Sequence, residues 1–170
     1  YRFNCGADMK KKSIKWLSKM VIIYQFLFFP LLFFQGSLIR KNALELPEAA
    51  GSRRGACGKG KNLKILFLGD SSVCGVGVSH LNDSLSGHVV EILRDKFFCE
   101  WRVCAESKIN TLQLYNKLHS EPQDIYNIAI VSIGMNDITD VIHKDKWLEN
   151  LFNLRKFLIE KFKVSMIIFS

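Results

Sequence analysis

The chain has 170 residues, with 24 Lys and Arg against 16 Asp and Glu and a formal net charge of +8. That length suits one ordinary domain plus an appendage. The charge is uneven: residues 1–64 carry 13 basic and 3 acidic side chains (+10), residues 65–170 carry 11 and 13 (−2), and the two parts sum to +8. The basic excess therefore sits in the N-terminal third, no basic face is expected on the folded part, and nucleic acid is not expected as a partner. The cysteines Cys5, Cys57, Cys74, Cys99 and Cys104 form no C-x-x-C pair and show no Cys/His spacing suited to zinc, so neither a metal site nor a cofactor is expected. Cys99 and Cys104 flank Trp101; they are read as small buried hydrophobes, with proximity in space as the alternative.

Residues Tyr1–Asp8 show no pattern and precede Met9, as an upstream extension would. Residues 1–19 form a basic tail through Lys10, Lys11, Lys12, Lys15 and Lys19, and residues 20–39 follow without a charge. About 20 apolar residues are needed to cross a bilayer as a helix. The span is therefore expected to be a transmembrane signal anchor, in preference to a cleaved signal, because no A-x-A site follows it. The lysines before it predict a cytoplasmic N-terminus and a domain on the extracytoplasmic side. Residues 40–62, rich in Gly and charge, are expected to be a linker, and the domain is expected over 63–170.

Within that domain Leu63–Leu68 is a short apolar run, as in a strand buried on both faces. Gly69-Asp70-Ser71-Ser72 breaks it with a tight turn. His80–Phe98 carries a helical stripe at Leu81, Leu85, Val89, Ile92, Leu93 and Phe97. Trp101–Ala105 predicts a second strand, Ile109–Leu118 a second helix and Ile125–Ile133 a third strand. The small-residue loop Gly134–Asp137 follows. Lys146–Phe162 predicts a long helix and Val164–Phe169 a last strand. Alternating strands and helices imply an α/β fold: a doubly wound parallel sheet in a flavodoxin-like three-layer α/β/α arrangement. Ending on a strand leaves that sheet incomplete at its C-terminus, so the sequence reads as cut short.

The carboxyl end of a strand is where an open α/β sheet binds ligands. Ser71 there is a candidate nucleophile. Turn-capping chemistry is the alternative use of the same residues.

Two strand ends carry polar loops on one sheet edge, and here the sequence resembles the SGNH, or GDSL-type, hydrolases over roughly Leu63–Ser170. Gly69-Asp70-Ser71-Ser72 matches the family's first block, and Gly134-x-Asn136-Asp137 its third. Leu46-Pro-Glu-Ala-Ala-Gly51, after a basic-flanked apolar span, also resembles membrane-anchored bacterial members. The resemblance implies a serine esterase acting through an acyl-enzyme on an ester or acetyl group of a small molecule, carbohydrate or lipid. Ser71 would be the nucleophile and the Asn136 amide an oxyanion donor, with the Ser71 N–H as a second. Asp70 would orient its loop, and Gly134 belongs to the third block.

The family's second block has a glycine where Lys108 falls; lysine keeps the backbone N–H but bears a Cβ. The family's base is an Asp-x-x-His pair after the last strand, expected beyond Ser170, so the chain as given is expected to be inactive. Asp140-Val-Ile-His143 has that spacing but directly follows the third block, where the family's pair does not lie. The alternative is a non-catalytic, membrane-tethered α/β binding module. A domain using Asp70 as phosphoacceptor or metal ligand ranks below both.

Overall fold

The computed structural model describes residues 21, 24, 28–36, 38, 39, 44 and 46–170. The chain divides into two compact units, Tyr1–Glu45 and Leu46–Ser170. In the first, residues 28–36 are helical. Among the described residues no helix is long and apolar enough to cross a membrane. The basic tail expected over 1–19, and part of the span expected over 20–39, lie outside the described residues.

The second unit is built on a five-stranded sheet. Its strands are β1 (Arg54–Gly58), β2 (Lys61–Gly69), β3 (Phe97–Ala105), β4 (Ile128–Ser132) and β5 (Met166–Phe169), in the order β1-β3-β2-β4-β5. The helices are α1 (Leu85–Leu93), α2 (Thr111–His119), α3 (Met135–Thr139) and α4 (Lys144–Phe162). Strand β2 is central because its sequence is apolar on both sides. Residues 65–69 are all buried, and a strand shielded on two faces shows no polar alternation.

Successive side chains of a strand point to opposite faces, which separates the core into two clusters. Leu66, Leu68, Ala129 and Val131 pack with Leu114 and Leu118 of α2 and Leu154, Leu158 and Phe162 of α4. Ile65, Phe67, Cys99 and Val103 pack on the other face with Val73, Cys74 and Val90 of α1. Helices therefore cover both faces of the sheet. Cys99 and Cys104 fall into different clusters. Their odd spacing along β3 aims them apart, so the two are not neighbours.

The sheet is mixed, which corrects the all-parallel expectation. Strands β3, β2, β4 and β5 are parallel, but β1 pairs antiparallel with β3, from Arg54 opposite Arg102 to Gly58 opposite Phe98. This edge strand lies inside the stretch expected to be linker. Its sequence, Arg-Gly-Ala-Cys-Gly, has loop composition, and only the exposed edge of β3 gives it a partner.

Residues before β1 are also part of the unit. Ala49 is buried and donates its N–H to Cys74 O at 3.1 Å, and Ala50 bridges to His80. The helix expected from His80 is shorter than its stripe. Residues Leu81–Asp83 form a 3-10 turn, and Phe97 and Phe98 open β3 instead of closing α1. Aromatic residues fit a pleated surface, and pairing with β2 outweighs the helical period there.

Candidate active site

Register places three loops together. Gly69 at the end of β2 pairs with Ala105 at the end of β3 and with Ser132 at the end of β4. The chain leaves all three strands at one level, at the carboxyl edge of the parallel sheet. Gly69 is required by close approach: a Cβ there would lie 2.1 Å from the Ser132 carbonyl oxygen, inside any real contact distance. Two cross-loop bonds continue the ladder, from Asp70 N to Ser132 O at 3.2 Å and from Glu106 N to Gly69 O at 3.3 Å.

After Gly69 the first loop closes on Asp70. The N–H groups of Val73 and Cys74 donate to Asp70 O at 3.1 and 3.0 Å. The Asp70 carboxylate is buried. Its Oδ1 accepts from Ser72 N and from Ser72 Oγ, both at 3.1 Å. Ser72 Oγ also lies 3.0 Å from Ser132 Oγ. Ser72 is thereby committed to holding the loop. The half-buried Ser71 has no hydrogen bond to its backbone N–H or its hydroxyl among the described residues. Those are the two groups that an attacking serine with a backbone oxyanion donor must keep available.

The third loop turns at Gly134, whose φ of 128° is open to glycine and strained for other residues, and becomes the short helix α3. Expected to be a loop, Gly134–Asp137 instead begins that helix. Asn136 projects from it. Its Nδ2 donates to the Ile109 carbonyl at 2.8 Å and reaches Asp70 Oδ2 at 3.4 Å. An amide nitrogen carries two hydrogens. One is well held by Ile109; the long contact to Asp70 leaves the other only weakly engaged. The structure thus brings Asn136 against the residue preceding Ser71.

Lys108 stands in the second loop with φ of 68°. A side chain in this left-handed region costs about 1–2 kcal/mol. The loop is held from both sides. Glu48 Oε1 accepts from Ser107 N at 2.9 Å. Asn110 caps α2 in a reciprocal capping box with Gln113. Asp137, also buried, accepts from Thr111 N at 2.9 Å and Thr111 Oγ1 at 2.7 Å, tying the start of α2 to α3.

Sequence reasoning missed Ser132, Glu48 and Thr111. Ser132 could have been found as the polar end of an apolar strand; Glu48 and Thr111 act through contacts that no local pattern announces.

None of the four histidines is hydrogen-bonded to Ser71 among the described residues. Asp140 and His143 do not form the dyad that their spacing allows. Asp140 Oδ2 accepts from Asn110 Nδ2 at 3.0 Å, while His143 caps α4 and faces Asp145. His80 caps the 3-10 turn through Asn82 N, and His119 lies against Tyr115. Cys74 is no competing nucleophile. Burial, followed by the neighbouring Glu48, pushes its thiol up to about 11, and the neutral thiol is a poor attacking group.

No family model matches the chain, and no curated protein matches it in sequence. Solved structures do match in fold. A psychrotrophic esterase from Pseudoalteromonas sp., in a structure inhibited by monoethylphosphonate, aligns with a TM-score of 0.50 at 15% identity. The match covers 62% of this chain and 58% of that one. A protein described as a GDSL-like lipase from Parabacteroides merdae aligns at 0.45 and 18% identity, over 66% of this chain and 60% of that one. The unit thus shares its fold with the Pseudoalteromonas esterase. The chain spans less than two thirds of the length of either structure.

Proposed function

We propose that this chain carries the nucleophile and oxyanion donors of an SGNH-type serine esterase. Ser71 attacks the carbonyl carbon of an ester or acetyl group, and the alcohol leaves. Water then releases the acid from the acyl-enzyme. Negative charge developing on the carbonyl oxygen is met by the Asn136 amide and the backbone N–H groups of Ser71 and Lys108. The Asp70 carboxylate positions the loop through Ser72 and Asn136. The general base that this reading requires is a histidine, and none is hydrogen-bonded to Ser71 among the described residues. The apolar residues 20–39 anchor the domain on the extracytoplasmic side of a membrane, and the substrate is a small-molecule, carbohydrate or lipid ester.

The observation that carries the reading is the Asn136 amide held by the Ile109 carbonyl and facing Asp70, one residue from a serine whose N–H and hydroxyl are unengaged among the described residues. The test is the intact mass of the protein from its native source after treatment with a fluorophosphonate. One adduct, absent from Ser71→Ala, is the expected result. A native protein that takes up no adduct overturns the esterase reading. That outcome would favour the second reading, a tethered non-catalytic binding module, for which the specific observation is that no histidine is bonded to Ser71 among the described residues.

A further inference from the structure

Strand β1 sets two thiols opposite each other. Cys57 on β1 pairs in register with Cys99 on β3. In an antiparallel ladder, directly opposed residues project from the same face, and both thiols do so here. Cys99 belongs to the core cluster on the α1 side, and Cys57 packs against that cluster. Opposed residues have Cα atoms about 4.5–5.5 Å apart, within the roughly 4.4–6.8 Å that a disulfide spans. Both are free thiols. Burial, and after it the nearby Cys57, raises the Cys99 thiol above its ordinary value. Among the described residues Cys74 and Cys104 have no such counterpart: Cys74 lies in the first loop, and Cys104 faces the opposite cluster.

The two thiols also differ in access. Cys99 is fully buried, whereas the half-buried Cys57 lines an open cavity of about 430 Å³ between the sheet edge and α1, beside Trp101, Arg94 and His88. A small disulfide can reach Cys57 through that cavity. We propose that Cys57 and Cys99 are a thiol-disulfide pair, oxidised by a low-molecular-weight disulfide such as oxidised glutathione, that staples the edge strand to the sheet. The Cys57 thiolate attacks one sulfur of the co-reactant, forming a mixed disulfide and expelling a thiolate. The Cys99 thiolate then attacks Cys57 Sγ, forming the cross-strand bond and expelling the second thiolate. The two protein thiols are oxidised, the co-reactant is reduced to two thiols, and these take the two protons. The bond would close a covalent loop from residue 57 to residue 99 around β2 and α1, holding the strand that follows Arg53, whose guanidinium pairs with Glu48.

The experiment equilibrates the native full chain with glutathione buffers from reducing to oxidising. It then quenches, alkylates residual thiols in denaturant and maps peptides by mass spectrometry. The expected product has lost two hydrogens, joins the Cys57 and Cys99 peptides, and leaves Cys74 and Cys104 alkylated. The joined peptide should also form in Cys74→Ser and Cys104→Ser, and should vanish in Cys57→Ser, where the substitution falls at the half-exposed partner. Three results overturn the proposal: alkylation of both Cys57 and Cys99 at every ratio, glutathione retained on Cys57 with Cys99 still alkylated, or a different cysteine pairing. The readout on the unsubstituted chain does not depend on any variant folding.

Discussion

Asn136 and Lys108 show how much a single side chain is asked to do at this sheet edge. Asn136 holds the second loop through Ile109 and offers its remaining hydrogen toward the first. If that hydrogen meets the oxyanion, Asn136→Ala in the native protein should lower kcat by about 100- to 1000-fold while KM changes little. An equal loss carried mainly by KM would assign the amide to binding instead. Lys108, at φ of 68°, sits where backbone shape outranks side-chain identity. A β-branched residue tolerates that region worst. Lys108→Val is therefore expected to lower stability by about 1 kcal/mol or more, and Lys108→Gly to leave it level or higher. Urea titrations of the two variants against the parent decide this.

At the scale of elements, the segment before β1 braces the site from outside. Glu48 takes the Ser107 N–H and pairs with Arg53, whose guanidinium also donates to the Ala105 carbonyl at 2.9 Å. Burial pushes the Glu48 carboxyl up, but the Ser107 N–H, the Cys74 thiol and Arg53 outweigh it and hold it below its ordinary 4.5. Asp124 behaves alike. Burial raises it, and the Lys64 ammonium with the Ile125 N–H brings it below 3.8. A depressed carboxyl contributes stability that is fully present above the unfolded pKa and lost as pH falls through the folded one. The urea midpoint should thus stay level down to about pH 5 and drop below about pH 4. Glu48→Gln should remove part of that drop, as fluorescence-monitored unfolding at several pH values would reveal.

What the sequence disclosed at this scale follows from where the information is local. The apolar run of β2, the stripes of α2 and α4, and the polar ends of β2 and β4 are periodic or abrupt, and they announce both the α/β class and the two loops bearing Ser71 and Asn136. Strand β1 is the opposite case. Arg-Gly-Ala-Cys-Gly has no apolar alternation, and its strand identity comes from the partner edge. The brace through Glu48 and the cap through Asp137 and Thr111 join residues that are 59 and 26 positions apart, beyond any window of local periodicity. Phe97 and Phe98 satisfy a helical stripe and a strand equally, and the contact with β2 decides between them.

For the whole molecule, the sheet-bearing unit begins at Leu46, not at Leu63. A chain starting at Leu63 would leave the outer edge of β3 unpaired and strip cover from Ala105 and the second loop. Residues 46–170 are therefore expected to unfold in one cooperative transition, and residues 63–170 to lose cooperativity or to associate through the open edge. Calorimetry with sedimentation on the two fragments distinguishes these outcomes. Retention of a sharp transition by the shorter fragment would show β1 to be dispensable.

The central place of β2 also has a consequence in time. Its parallel partners lie 36 residues onward in β3 and 63 onward in β4, and such distant pairings close slowly because loop entropy is lost before contacts compensate it. The three loops leave β2, β3 and β4 level with Gly69, so no fragment of the site can be correct before both pairings with β2 have closed. Trp147 lies against Gly134, its Nε1 3.6 Å from the position a Cβ would take there. During refolding its emission should settle in the same slow phase that brings Asn136 to Asp70, which gives the protein an internal clock for the assembly of its own site.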